Sequence, residues 1–143
     1  MENAHVSAES LRQVDSLVQK IDGLCKSIEQ SLALCMEINS ESVGSYSTST
    51  AGQISSDFVD KVILTIQKIK NHLRDLKKAM PKAFIRDMRD VENIVASLNE
   101  TSQTLQGFLL ENNFFYNTFQ LPIMEIQATI DQILETVEVV QYA

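Results

Sequence analysis

Apolar side chains recur at alternating spacings of three and four residues in four segments of the chain. This spacing is the heptad period, which keeps one apolar stripe of a helix facing its neighbours. The first two stripes consist of Leu11, Val14, Val18, Ile21, Cys25, Ile28, Leu32 and Cys35, and of Val59, Val62, Ile66, Ile69, Leu73, Leu76 and Met80. The last two consist of Met88, Val91, Val95, Leu98, the small polar residue Ser102, Leu105 and Leu109, and of Ile123, Ile126, Ile130, Ile133, Val137 and Val140. We therefore expect four amphipathic helices.

The width of the stripes favours a helical bundle over a two-stranded coiled coil. Leu17 and Leu24 widen the first stripe, so the helix has apolar side chains for more than one neighbour. We predict an all-α protein, an elongated antiparallel four-helix bundle with coiled-coil-like heptad packing, in a single domain over residues 1–143. The predicted helices cover about residues 7–39, 55–79, 81–112 and 121–141. In an alternative arrangement, a second chain completes the four stripes.

A polar segment separates the first two helices. Residues 40–56 contain nine serine or threonine residues together with Gly44 and Gly52. This composition is typical of a flexible connection and predicts a linker over residues 40–54. Ser55 or Ser56 can then cap the start of helix two.

The remaining helix ends depend on two prolines and an asparagine pair. Asn112-Asn113 can end helix three, and Pro122 fits the first turn of helix four. Pro81 lacks a backbone donor and disfavours helix at the residue before it. We predict a tight hairpin in which Pro81 opens helix three. The alternative is a three-helix arrangement in which one long helix is kinked at Pro81.

Charge is strongly segregated along the chain, although the net charge is only −7. Residues 1–60 carry nine acidic and three basic side chains, and residues 61–89 carry nine basic and two acidic ones. Residues 90–143 carry eight acidic side chains and no basic one. The second helix and the join that follows it therefore form the basic part of an acidic protein.

The basic patch consists of Lys68, Lys70, Arg74, Lys77, Lys78, Lys82, Arg86 and Arg89. Such a patch can bind nucleic acid or an anionic lipid surface. In an antiparallel bundle, however, it lies beside the acidic start of helix one and the acidic end of helix four. We therefore favour neutralisation of the patch within the molecule over nucleic acid as a partner.

Seven of the nine aromatic residues fall at or near the opposite end of the predicted bundle. The candidate partner-binding residues there are Phe114, Phe115, Tyr116, Phe119 and Tyr46. They can form a hydrophobic plug that closes the core. They can also form a protein-binding site, because connections between helices are usually polar and aromatic side chains anchor interfaces. Both interpretations stay open at this point.

The two cysteines favour a cytoplasmic protein. Cys25 and Cys35 lie on one helix, about 15 Å apart along its axis, which is too far for a disulfide between them. Free buried thiols are typical of a reducing compartment. The N-terminal residues lack the pattern of a secretory signal. A membrane span needs about 20 apolar residues, and the apolar stretches of this chain are shorter, so no transmembrane segment is expected.

The sequence offers little for catalysis, and we predict no enzyme, no metal and no cofactor. His5 and His72 are the two histidines, and no histidine or cysteine pair has zinc-ligand spacing. His72 stands near lysines, as in histidine phosphotransfer bundles, but the His-x-x-Lys-Gly arrangement is missing. The favoured function is a non-enzymatic protein–protein interaction module: a helical adaptor, assembly subunit or inhibitor that binds a protein partner or a second copy of itself. The alternatives are a ligand-sensing or carrier bundle with a small core pocket and a phosphotransfer domain that uses His72.

Overall fold

The computed structural model describes residues 8–42, 55–83 and 89–142, with side chains placed over 9–34, 55–80 and 89–137. These ranges contain four α-helices and no strand. Helix α1 spans Ala8–Ser42, α2 spans Ser56–Ala83, α3 spans Arg89–Phe108 and α4 spans Asn113–Tyr142. The all-α fold class and the four-helix bundle predicted from the heptad pattern are confirmed.

Each helix packs against two others in a ring. The neighbouring pairs are α1 with α2, α2 with α3, α3 with α4, and α4 with α1, whereas the backbones of α1 and α3, and of α2 and α4, lie diagonally and make no close approach in the described ranges. An ion pair between Lys77 and Asp15 joins the end of α2 to the start of α1. Because α2 packs along α3 rather than continuing into it, the alternative of one long helix kinked at Pro81 is wrong.

The four predicted stripes form the core. Every stripe member whose side chain is described is buried except Leu11, which is partly buried. Three buried threonines lie beside the stripes, and each hydroxyl donates a hydrogen bond to a carbonyl oxygen four residues earlier, as Thr129 does to Glu125 at 2.8 Å. The core therefore accommodates these polar atoms without leaving their hydroxyls unpaired.

Two polar side chains set helix starts. The backbone N–H of Phe58 donates to Ser55 Oγ at 3.1 Å, so Ser55 caps α2 as one of the two predicted residues. The backbone N–H of Phe115 donates to Asn112 Oδ1 at 2.8 Å. Asn112 thus caps the start of α4, which begins at Asn113 and not at about residue 121 as predicted, while α3 ends at Phe108.

Both prolines lie inside helices, which corrects two predictions. Pro81 belongs to the last turn of α2 and does not open α3, and Pro122 lies in the interior of α4. A proline inside a helix costs about 3 kcal/mol through the lost hydrogen bond and a steric clash. Burial of Phe119 before Pro122 and of Ile123 after it offsets that cost, because both reach the core only if the helix continues through the proline.

The predicted linker is only partly described. Helix α1 continues to Ser42, three residues beyond the predicted end, and residues 43–54 lie outside the described ranges. The flexible connection that the sequence predicts over residues 43–54 therefore stays a prediction.

Adjacent residues of α3 provide a matched test of the core. Val95 is fully buried, whereas Ala96 is exposed. We expect Val95→Asp to lower the free energy of unfolding by more than about 4 kcal/mol, because it places an unpaired charge in the core. Ala96→Asp should change it by no more than about 0.5 kcal/mol. Chemical denaturation followed by circular dichroism measures both, and equal losses would show that this stripe does not face the core.

Candidate functional site

Four phenylalanine rings from three helices meet at one end of the bundle. The ring centroids of Phe58 and Phe115 are 5.2 Å apart, and those of Phe58 and Phe108 are 5.8 Å apart, both in edge-to-face geometry. The rings of Phe115 and Phe119 are 5.0 Å apart. All four side chains are buried. This aromatic cluster closes the core at the end where α2 and α4 begin and α3 ends.

The predicted partner-binding residues divide between the core and the surface. Phe115 and Phe119, one helical turn apart, are buried in the aromatic cluster. Phe114 is partly buried against the core, and Tyr116 keeps 39% of its surface exposed. Tyr46 lies outside the described residues. The buried pair fits the plug interpretation, and of the predicted residues that the structure describes, Tyr116 and part of Phe114 remain on the surface for a partner.

Large apolar side chains that are exposed lie close to this end. Leu110 in the turn between α3 and α4 is 88% exposed, and Leu121 and Met124 on α4 are 80% and 50% exposed. Sequence reasoning missed these residues because it placed Leu121 at a helix start. The pattern that could have indicated Leu121 and Met124 is a second heptad stripe in α4, because positions 117, 121, 124 and 128 share the face opposite the buried one.

An amide network joins α3 to α4 near the middle of the bundle. The buried hydroxyl of Ser102 donates to Gln127 Oε1 at 2.7 Å, and Gln106 Nε2 donates to the same oxygen at 2.8 Å. Gln127 Nε2 donates to Asn99 Oδ1 at 2.8 Å and to Asp131 Oδ1 at 3.0 Å. The amide oxygen and nitrogen of Gln127 thus each have two protein partners, and the network fixes the register of the two helices.

The basic patch is neutralised only in part. Lys70 Nζ lies 2.9 Å from Glu29 and Lys77 Nζ lies 3.4 Å from Asp15, both on α1. Asp15, at the start of α1, therefore contributes as expected, but α4 lies diagonally from α2, and the patch residues of α2 whose side chains are described form no ion pair with α4. Lys68, Arg74 and Lys78 are exposed and form no ion pair with the described residues. The side chains of Lys82 and Arg86 lie outside the description.

A groove of about 290 Å³ lies where the start of α1 meets the end of α2. It is lined by Leu11, Arg12, Val14, Asp15, Lys77 and Met80. Two of its polar groups, Asp15 and Lys77, already pair with each other. The groove lies at one end of the bundle and is open to solvent. It therefore differs from the core pocket that the carrier alternative requires.

Cys25 is a buried free thiol. Burial, reinforced by the nearby carboxylates of Glu29 and Asp22, raises its pKa to about 12. The hydrogen bond to Glu29 raises the pKa of Lys70, so this ammonium stays charged. A neutral buried thiol is a poor nucleophile and metal ligand, which agrees with the prediction that Cys25 packs as a small hydrophobic residue.

His72 is partly buried on α2, not fully exposed as a phosphotransfer histidine would be. In the described part of the chain no three metal-ligating side chains converge, and no helix is long and apolar enough to cross a membrane. Comparison with protein-family models, curated proteins and solved structures found no significant match. The surface chemistry of the bundle is therefore the basis for a functional proposal.

The aromatic cluster generates a paired prediction. Phe115→Ala should lower the free energy of unfolding by about 3–5 kcal/mol, because it leaves a cavity where three rings meet. Tyr116→Ala should lower it by less than about 1 kcal/mol, because the side chain is 39% exposed and lies outside the aromatic cluster. Thermal and denaturant unfolding of both variants test this, and a similar loss in the two would show that Tyr116 also belongs to the plug.

The buried thiol predicts a loss of stability in alkaline solution. The pKa of Cys25 is about 12 in the folded chain and 9.0 as the ordinary value, so above about pH 9 the unfolded state loses a proton that the folded state keeps. The free energy of unfolding should fall by about 1.4 kcal/mol between about pH 8 and about pH 10. Cys25→Ala should lack this component. Parallel pH series of denaturant unfolding measure the difference, and identical slopes would contradict it.

Proposed function

We propose that this chain is a non-enzymatic protein-interaction module, an adaptor or assembly subunit, that binds protein through the outward face of α4. The single supporting observation is the placement of Leu121 and Met124, which are 80% and 50% exposed on the face of α4 that points away from the core. Leu110 and Tyr116 add exposed apolar surface near the same end.

The energetics of exposure support a docking role. Isolated apolar residues are common on protein surfaces, but several on one helix face are typical of interaction sites. Leu121 and Met124 are three residues apart, so their side chains are neighbours on the helix. Covering each would contribute about 1.5–3 kcal/mol to association before ordering costs. Their outward position means that the fold does not depend on them.

The other functions have weaker support. The open groove near Asp15 gives a carrier no enclosed site, and partial burial of His72 does not favour phosphotransfer. Charge narrows the kind of partner: α4 carries acidic side chains and no basic one, so its partner surface is expected to combine apolar and basic side chains. A cytoplasmic location belongs to the same proposal, supported by the free thiol of Cys25.

The test is a double variant, Leu121→Ser with Met124→Ser. We expect the melting temperature to stay within a few degrees of the parent, because neither side chain is in the core. Protein association, measured by sedimentation of the purified chain and by quantitative pull-down from extract, should weaken at least about tenfold, since loss of about 1.4 kcal/mol has that effect.

Leu34→Ser is the matched control, because Leu34 is 59% exposed on α1. This variant should keep both the melt and every association of the parent. If the double variant binds the same proteins as the parent and has the same sedimentation, or if Leu34→Ser loses as much, the outward face of α4 is not the binding surface.

A further inference from the structure

The diagonal helices α2 and α4 carry matching outward stripes. The exposed heptad positions of α2 are Asp60, Leu64, Gln67, Asn71, Arg74 and Lys78. Those of α4 are Asn117, Leu121, Met124, Ala128, Asp131 and Glu135. Each stripe has an exposed leucine in its aromatic half and two like charges towards the other end. These charges are basic on α2, from Arg74 and Lys78, and acidic on α4, from Asp131 and Glu135, while Asp60 adds an acidic side chain at the aromatic end of α2.

The core fixes how the two stripes are aligned along the bundle axis. The rings of Phe58 on α2 and Phe115 on α4 are 5.2 Å apart, so residues 57 positions apart lie at one level. The buried stripes follow the same shift, with Ile66 matching Ile123. Since α2 and α4 run in the same direction and rise equally per residue, this level correspondence holds along their length.

With the same shift of 57 residues, an apolar residue of one outer stripe is level with an apolar residue of the other, and basic residues are level with acidic ones. Leu64, 57% exposed, is level with Leu121, 80% exposed. Arg74 is level with Asp131. Lys78 is level with Glu135 in the same way. Within one molecule these groups lie on opposite corners of the bundle and do not meet.

We propose that the partner of the α4 face is the α2 face of a second copy of this chain, with the bundles side by side and parallel. This inference rests on the proposed function, because it uses the same α4 surface. Moving one copy sideways along the α2–α4 diagonal, without sliding along the axis, places Leu64 against Leu121 and Arg74 against Asp131. The apolar pair then excludes water while the charged pairs set the register.

Charged side chains without a partner among the described residues favour the α2 face of a second copy over other partners for the α4 face. Arg74 and Lys78 form no ion pair with the described residues of their own chain, and neither does Glu135. Two α4 stripes facing each other would bring acid against acid. Because the contact joins two different surfaces with no rotation between copies, each copy keeps one face of each kind, and the assembly is an open row of bundles.

Charge reversal in two separate variants tests the pairing. Arg74→Glu with Lys78→Glu makes both outer stripes acidic at that end, and Asp131→Lys with Glu135→Lys makes both basic. Each variant alone should lose self-association at least tenfold in sedimentation. An equimolar mixture should restore it, because every contact between one variant and the other again joins opposite charges. Association of the parent should weaken as salt rises from about 0.01 M to about 1 M, where the Debye length falls from about 30 to about 3 Å.

Cysteine cross-linking tests the geometry. In a Cys35→Ser background, Leu64→Cys and Leu121→Cys chains should form a disulfide when mixed and none when kept separate. Cys25 stays in place because burial holds it as a neutral thiol. As a register control, Leu64→Cys mixed with Glu135→Cys should not cross-link, since those levels differ by about 21 Å and a disulfide needs Cα atoms within about 7 Å.

The outcomes separate this inference from the proposed function. If Leu64→Cys cross-links alone, two α2 faces pair with each other, and the α2–α4 contact is overturned. It is also overturned if the charge-reversed mixture remains monomeric or if the parent never self-associates. In that last case, loss of another protein partner on changing Leu121 and Met124 would leave the proposed function standing. If that double variant loses no association of any kind, both are wrong.

Discussion

Burial of one continuous apolar stripe from each of four helices is the interaction on which the rest of the structure depends. The stripes repeat every seven residues, so each helix presents the same face along its whole length, and neighbouring helices pack antiparallel around the ring. The aromatic cluster around Phe115 closes one end of this core. The position of every surface group follows from that packing, because the outward face of each helix is the one opposite its stripe.

The apolar period was sufficient to predict the four helices, nearly all of the core and the gathering of phenylalanines at one end. It failed at helix ends, where local rules compete with burial. Pro122 is a usual helix-start residue, but here the need to bury Phe115 and Phe119 extends α4 back to Asn113. Asparagine is typical of both helix ends and helix starts, and Asn112 caps α4 because the phenylalanine rings that follow it pack into the core.

The candidate site was predictable in its location but not in its residues. Sequence reasoning selected the rings because of their size, and the size of Phe115 is also why it fills the core. Leu121 and Met124 were missed because an outward apolar stripe is recognisable only after the inward stripe and the helix start are known. Likewise, the basic patch was expected to meet both acidic ends, but α2 and α4 lie on a diagonal because each helix packs beside its neighbours in sequence, and heptad spacing does not specify which helices are adjacent.

The segregation of charge has a structural consequence in this topology. Helices on a diagonal of an up-down-up-down bundle run in the same direction and share one axial register through the core, here marked by Phe58 and Phe115. Groups on their outer faces share that register but are separated by the width of the molecule. Opposite charges at one level, such as Arg74 and Asp131, are therefore kept apart in one copy, and the proposed contact brings them together between copies. Apart from Asp131, which also accepts a hydrogen bond from Gln127, the core and the proposed contact thus use different faces of the same two helices, so stability and association can be altered separately.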